Sequence, residues 1–267
     1  KTFFVVASLT LFLAACGQSD EPAAVAAPEV AEVAAPEASE TPMQSSAASG
    51  ELLVDYIWNN TADDMTEEQM AGIIDGWNAR IDAGGYNMLG ANVLMPQFET
   101  DDYDLIWVVM WPSSEAREAG WADWNANQVD DWSAELAGAM SYEPENVYTF
   151  KPTDGHDGMA DIAVGGTFHP RFDFCSFNEG QDAASLAAFR AEYDAWLVEG
   201  ESNNYGYYLM EPQFDLADAD FVWLDLFGDE AALEAGTASW TGSALEASWE
   251  AMATCENFAF LATAIRR

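Results

Sequence analysis

The chain has 267 residues and carries 47 Asp and Glu against eight Lys and Arg, a formal net charge of −39. Such a charge repels phosphate backbones and anionic lipid headgroups, which excludes nucleic-acid binding and adhesion to an acidic membrane surface. The carboxylates are spread along the sequence rather than blocked, the pattern of a solvated acidic surface, while eleven Trp, nine Tyr and fifteen Phe argue for a packed core beneath it.

Lys1-Thr2 precedes an unbroken apolar run from Phe3 to Ala15. The run is too short for a stable bilayer-spanning helix and has the length of a signal-peptide core. It ends Leu13-Ala14-Ala15-Cys16, which resembles the lipobox of bacterial lipoproteins. The resemblance implies cleavage of residues 1–15, a lipid on Cys16, and a membrane anchor made of several buried acyl chains. In that family's sorting rule Asp after the Cys retains the protein at the inner membrane. Gly17 stands here, implying a cell-envelope protein of the outer membrane, facing the periplasm or the cell surface. Residues 16–50 are Ala, Glu, Pro and Ser with few large apolar side chains, a composition that predicts a disordered tether.

Residues 51–150 read β-α-β-β-α-β. Leu52 to Trp58 is a strand. Thr66-Glu67-Glu68-Gln69 has the capping-box pattern, and Met70, Ile73, Ile74, Trp77 and Ile81 form one helical face that Gly84-Gly85 ends. Met88–Met95 and Leu105–Trp111 are two further strands. Ser113 caps a long second helix carrying Trp121, Trp124, Trp132, Leu136 and Met140, and Val147–Phe150 closes the unit. Residues 151–166, rich in Gly and Asp, read as a linker. Residues 167–267 repeat the order, with strands Phe172–Phe177, Tyr205–Met210, Phe221–Phe227 and Phe258–Ile265, and helices Ala183–Leu197 and Ala231–Met252.

The order repeats because the sequence does. Pro96-Gln97-Phe98 recurs 116 residues later as Pro212-Gln213-Phe214, Asp104 and Trp107 as Asp220 and Trp223, Glu118-Ala119-Gly120 as Glu234-Ala235-Gly236, and Trp124 as Trp240. A two-residue change in the preceding loop aligns Asp55-Tyr56 with Asp173-Phe174. Leu105–Trp111 is apolar on both faces, so its strand must be covered on both sides. This duplicated topology resembles the dimeric α+β barrel superfamily, which includes the antibiotic-biosynthesis monooxygenases. The resemblance implies an α+β fold of two tandem ferredoxin-like repeats, packed sheet to sheet as a pseudo-dimer within one monomeric chain.

Asp225 is a carboxylate in an apolar strand where the first copy has Val109; buried, it needs a partner such as Arg171, or its pKa rises toward that of a general acid or base. Asp55 and Asp173 are candidate paired carboxylates, with a structural hydrogen bond to backbone or Trp as the plainer reading. Trp107, Trp111, Trp223 and Phe227 are candidate walls of a ligand pocket, and Gln97 and Gln213 candidate ligand-orienting groups, or else hairpin residues. The acidic loops Glu99–Asp104 and Asp215–Asp220 lack the Gly and Glu spacing of a calcium site. His156 and His169 lack metal spacing. Neither lies on a second helix, where haem-degrading members of the superfamily place their iron ligand, so no cofactor and no metal are expected. Cys175 falls on the second copy's predicted first strand and Cys255 just before its predicted last, elements that are neighbours in this fold, and the two are expected to pair as a disulfide.

Three functions are compatible with these features. The leading expectation is an envelope lipoprotein that binds a small apolar or aromatic molecule without catalysis. The alternatives are a cofactor-independent monooxygenase or isomerase using Asp225, or Asp55 and Asp173, and an envelope interaction module without a pocket.

Overall fold

The computed structural model describes residues 52–199 and 204–267. The apolar run, Cys16 and the tether lie outside the described residues. Among those described, no helix is long and apolar enough to cross a membrane.

The first half contains β1 (Leu53–Thr61), α1 (Glu67–Gly84), β2 (Gly90–Pro96), β3 (Leu105–Trp111), α2 (Ser114–Asn127), α3 (Val129–Leu136), the two-residue β4 (Met140–Ser141) and β5 (Val147–His156). The second contains β6 (Thr167–Phe177), α4 (Ala183–Glu199), β7 (Tyr205–Pro212), β8 (Phe221–Phe227), α5 (Glu230–Trp240), α6 (Ala244–Met252) and β9 (Ala253–Arg266). The capping box of α1 forms: Thr66 Oγ1 accepts from the Gln69 N–H at 3.2 Å, and Gln69 Oε1 accepts from the Thr66 N–H at 2.8 Å. Gly85, at φ 64°, provides the left-handed residue that stops the helix.

The sheet runs β3-β2-β9-β6-β8-β7-β5-β1, with β4 beyond, and β1 also pairs with β3, so eight antiparallel strands close into one barrel. The two sheets expected to lie face to face are instead hydrogen-bonded edge to edge, through β2–β9 and β5–β7. Closure leaves none of the eight with an unpaired edge. It also changes the reading of residues 151–166: Lys151–His156 continue β5 because β7 offers them a partner. Gly155 is needed in that seam, where a Cβ would lie 2.1 Å from the Tyr207 carbonyl oxygen.

Pro96-Gln97-Phe98 and Pro212-Gln213-Phe214 occupy the two seams. The Gln97 N–H donates to the Ala259 carbonyl and the Gln213 N–H to the Thr149 carbonyl, each at 2.9 Å. Phe98 packs on Phe258 and Phe260, and Phe214 on Tyr148 and Phe150. Inward side chains such as Tyr56, Val108, Phe172 and Leu224 fill the barrel, so its interior is packed core. The outward faces of the strands pack against the helices in two further cores, one per half.

The expected single second helices are each broken in two. Gln128 interrupts the first. Thr241 and left-handed Gly242 (φ 76°) interrupt the second, and Ser243 caps the helix that follows. The last strand starts at Ala253, earlier than expected, because Arg171–Phe177 of β6 pair with Ala253–Ala259.

Candidate functional site

Strand alternation points Asp55, Ile57, Trp107, Val109 and Trp111 toward the helices in the first half, and Arg171, Asp173, Trp223, Asp225 and Phe227 in the second. Register fixes which residues correspond. Asp55 faces Val109 and Ile57 faces Trp107, whereas Arg171 faces Asp225 and Asp173 faces Trp223. The offset of 116 therefore runs unbroken through the first strands (Asp104 and Asp220 each donate their N–H there, to Asn59 and Cys175). The counterpart of Asp55 is Arg171, and that of Asp173 is Ile57. The expected match of Asp55 with Asp173 is corrected by two residues, since no loop change is present to supply it.

In the first half Asp55 is fully buried and saturated. It accepts from Trp111 Nε1 (2.9 Å), Trp121 Nε1 (2.7 Å), Arg117 Nε (2.7 Å) and Thr149 Oγ1 (2.7 Å). Arg117 and Trp121 come from α2, so the carboxylate pins that helix to the sheet. Trp77, Trp124 and Trp132 fill the remaining space, and the residual cavity is about 60 Å³. The Trp107 indole N–H has no acceptor among the described residues.

The second half is built differently at the same positions. Val109 becomes Asp225, Ile57 becomes Asp173, Arg117 becomes Leu233, Trp121 becomes Thr237 and Trp132 becomes Ser248. The segment that inserts Met140 and Tyr142 into the first half has no counterpart, because α6 runs directly into β9. A cavity of about 1140 Å³ opens between the sheet and α4, α5 and α6. Its walls include Phe189, Tyr193, Trp196, Trp223, Trp240 and Trp249.

A buried polar cluster forms the floor. Asp225, 3% exposed, is ion-paired with Arg171 and accepts from Tyr205 Oη (2.5 Å) and Trp223 Nε1 (2.8 Å). The hydroxyls of Tyr205 and Tyr193 lie 2.8 Å apart. Asp173, 4% exposed, accepts from Asn257 Nδ2 through Oδ1, which lies 3.7 Å from Arg171 Nε. Its Oδ2 has no donor among the described residues. Burial first, and then the Asp225 charge, push the Asp173 carboxyl up to about 6 against the opposing pull of Arg171 and Asn257. Burial would lower the Arg171 guanidinium, but Asp225 and Asp173 raise it above its ordinary value. Burial, followed by the Asp225 charge, raises the Tyr205 phenol far above its usual range.

Asp173, Asp225, Trp223 and Phe227 thus meet at one cavity, whereas Asp55, Trp107 and Trp111 lie in the filled half. Gln97 and Gln213 are exposed, outside both cavities, with their side-chain amides donating to nearby backbone carbonyls. Asp104 and Asp220 each accept a strand N–H, from Thr61 and Phe177. Cys175 and Cys255 are bonded to each other, and Cys255 lines the cavity. His156 and His169 lie on β5 and β6; the cavity lining holds no histidine, and its two tyrosines are engaged at Asp225, so it offers no ready haem ligand. Sequence reasoning missed Tyr205 and Tyr193; the signal for Tyr205 was its replacement of Leu89 in an otherwise aligned strand.

No family model and no curated protein matches the chain. Solved structures do. A candidate chlorite dismutase is 10% identical over 80% of this chain and 95% of its own, with a TM-score of 0.50. A point variant of chlorite dismutase from Candidatus Nitrospira defluvii is 7% identical over 81% and 92%, also at 0.50. An anthrone oxidase-like protein is 15% identical over 80% and 91%, at 0.49. At these identities the likeness is one of fold, that of the dimeric α+β barrel proteins.

Proposed function

We propose that the chain is an envelope lipoprotein, anchored through Cys16, whose folded part is a pseudo-dimer of two ferredoxin-like repeats binding one small apolar or aromatic molecule in the second repeat. The observation that carries this reading is the asymmetry between equivalent places in the fold: about 60 Å³ in the first half and about 1140 Å³ in the second. The larger volume is in the range of small-molecule sites and combines aromatic walls with a few convergent polar groups. A packed core serves as the repeat's ground plan, and the replacement of a tryptophan by Thr237, which lines the cavity, together with the missing Met140–Tyr142 segment, releases the space.

Native mass spectrometry with an absorption spectrum of the full chain, purified from an envelope fraction, tests the reading. One bound molecule per chain is expected, lost when Thr237→Trp fills the cavity from its lining. Unchanged bound mass in that variant would place the ligand elsewhere, and a bare wild-type chain after exposure to envelope extract would remove the reading. A second reading, a cofactor-independent monooxygenase or isomerase, rests on Asp173. Its raised pKa suits proton transfer near neutrality, whereas the Asp225 oxygens are already engaged by three donors.

A further inference from the structure

We infer that the second-half cavity selects an organic cation, an ammonium group carried on an apolar or aromatic body, and that Asp173 is its counter-ion; this rests on the reading of that cavity as a ligand site. Five carboxylates line the cavity (Asp173, Asp225, Asp229, Glu246 and Glu250) and Arg171 is the one cationic side chain among the lining residues. Arg171 is ion-paired with Asp225 through one terminal nitrogen, its buried Nε lies 3.7 Å from Asp173 Oδ1 without a hydrogen bond among the described residues, and the remaining Asp225 oxygen is taken by Tyr205 and Trp223. Asp229 caps α5 by accepting from the Ala232 N–H, and Glu246 accepts from the Gly242 N–H.

That leaves Asp173. It is deeply buried and has one oxygen held by Asn257. The other has no donor among the described residues, on a side chain that lines the cavity. That oxygen is not sealed from solvent, so a ligand N–H or a cation entering the cavity can reach it and be bound by its charge. An anionic ligand would meet the surrounding carboxylates with little free positive charge to offset them. The walls make the same selection, because indole and phenol faces attract cations. Trp196, Trp240 and Trp249 stand around the cavity, and Glu250 follows Trp249 directly on α6. The long-range field agrees in sign, since a chain of formal charge −39 concentrates cations around it.

The test is calorimetric titration of the full chain with three probes of one shape: 2-naphthylmethylamine as its ammonium ion, 2-naphthylmethanol, and 2-naphthoate. The ammonium is expected to bind at least about tenfold more tightly than the alcohol, as one well-placed buried charge pair contributes, with the carboxylate weakest. Asp173→Asn is expected to bring the ammonium within about threefold of the alcohol. Glu250→Gln is the second variant if Asp173→Asn fails to fold, and a smaller loss of the same preference is expected from it. Equal or tighter binding of the alcohol or carboxylate, abolished by Thr237→Trp, would overturn the cation assignment while leaving the ligand site standing. An ammonium preference that survives both carboxylate variants would remove Asp173 as counter-ion. No binding of any probe would defeat the site itself, and the inference with it.

Discussion

Asp55 and Arg171 occupy the same place in their respective strands and carry opposite charge. In the first half the strand supplies the carboxylate and α2 the guanidinium. In the second the strand supplies the guanidinium and β8 the carboxylate. The consequence is mechanical: the first pair ties a helix to the sheet, whereas the second lies within the sheet and leaves the helices free of it. Asp173 is then a third charge that Arg171 does not fully neutralise. Its carboxyl ionises near 3.8 in the unfolded chain and about 6 in the folded one, raised by burial and by Asp225. The titratable groups sharing its cavity are Arg171 on its own strand, Asp225 on β8, Tyr205 on β7, Tyr193 on α4, Asp229 at the start of α5, and Glu246 and Glu250 on α6. A carboxyl raised in this way favours folding fully below about pH 4, and the contribution is lost as pH rises through 6. Asp173→Asn should therefore gain stability over the wild type between pH 4 and 6.5, levelling at a difference on the order of 2–3 kcal/mol. Urea titrations at half-unit pH steps measure it, and a pH-independent difference would mean that Asp173 is ionised throughout. Asp225 was legible as the odd residue of an apolar strand. The pairing of Asp55 with Asp173 was misread because both precede an aromatic residue; only hydrogen-bond register separates a match at 116 from one at 118.

Among the elements, α2 and α5 carry the repeated Glu-Ala-Gly, and the glycine has a local cause. A Cβ on Gly120 would come within 2.5 Å of the Trp111 ring, and one on Gly236 within 2.7 Å of the Phe227 ring. The neighbourhoods differ. Trp111 is held on one side by its bond to Asp55 and enclosed by buried tryptophans, whereas α5 has no buried residue and Phe227 borders the cavity. Gly120→Ala should cost about 1–3 kcal/mol by overpacking. Gly236→Ala should be neutral or stabilising, since Phe227 can yield into open space and alanine favours the helix by roughly 1 kcal/mol. Thermal melts of the two variants compare them directly; equal losses would mean that α5 is seated as tightly as α2. The cap of α1, the strand types and the element order were readable from local pattern. The breaks at Gln128 and Gly242 were not, because the tryptophan spacing continues across them, and the extra lengths of β5 and β9 depend on partners supplied by the other half.

Over the whole molecule, the disulfide and the missing β4 segment are two aspects of one difference. In the first half Asn60 and Thr61, at the end of β1, pair with Ser141 and Met140, and Tyr142 follows into the core. The second half has no such segment, and there Cys175 on β6 is bonded to Cys255, directly opposite on β9. The bond closes an 80-residue span that contains α4, α5, α6 and thus all the helices around the cavity. A cavity of this size forfeits apolar contacts that the first half retains, and a cross-link of that span offsets part of the loss by restricting the unfolded chain. Replacing both cysteines by serine should lower stability by about 2–4 kcal/mol. The effect should also be uneven. Amide hydrogen exchange should accelerate more in α5 and α6, which have few buried contacts, than in α2 and α3, which are fixed by Asp55 and the tryptophans. Uniform acceleration across both halves would mean that the barrel opens as a single unit and that the bond protects the whole sheet. Faster exchange confined to the second half would show that the bond holds the cavity's frame, the task β4 performs in the first.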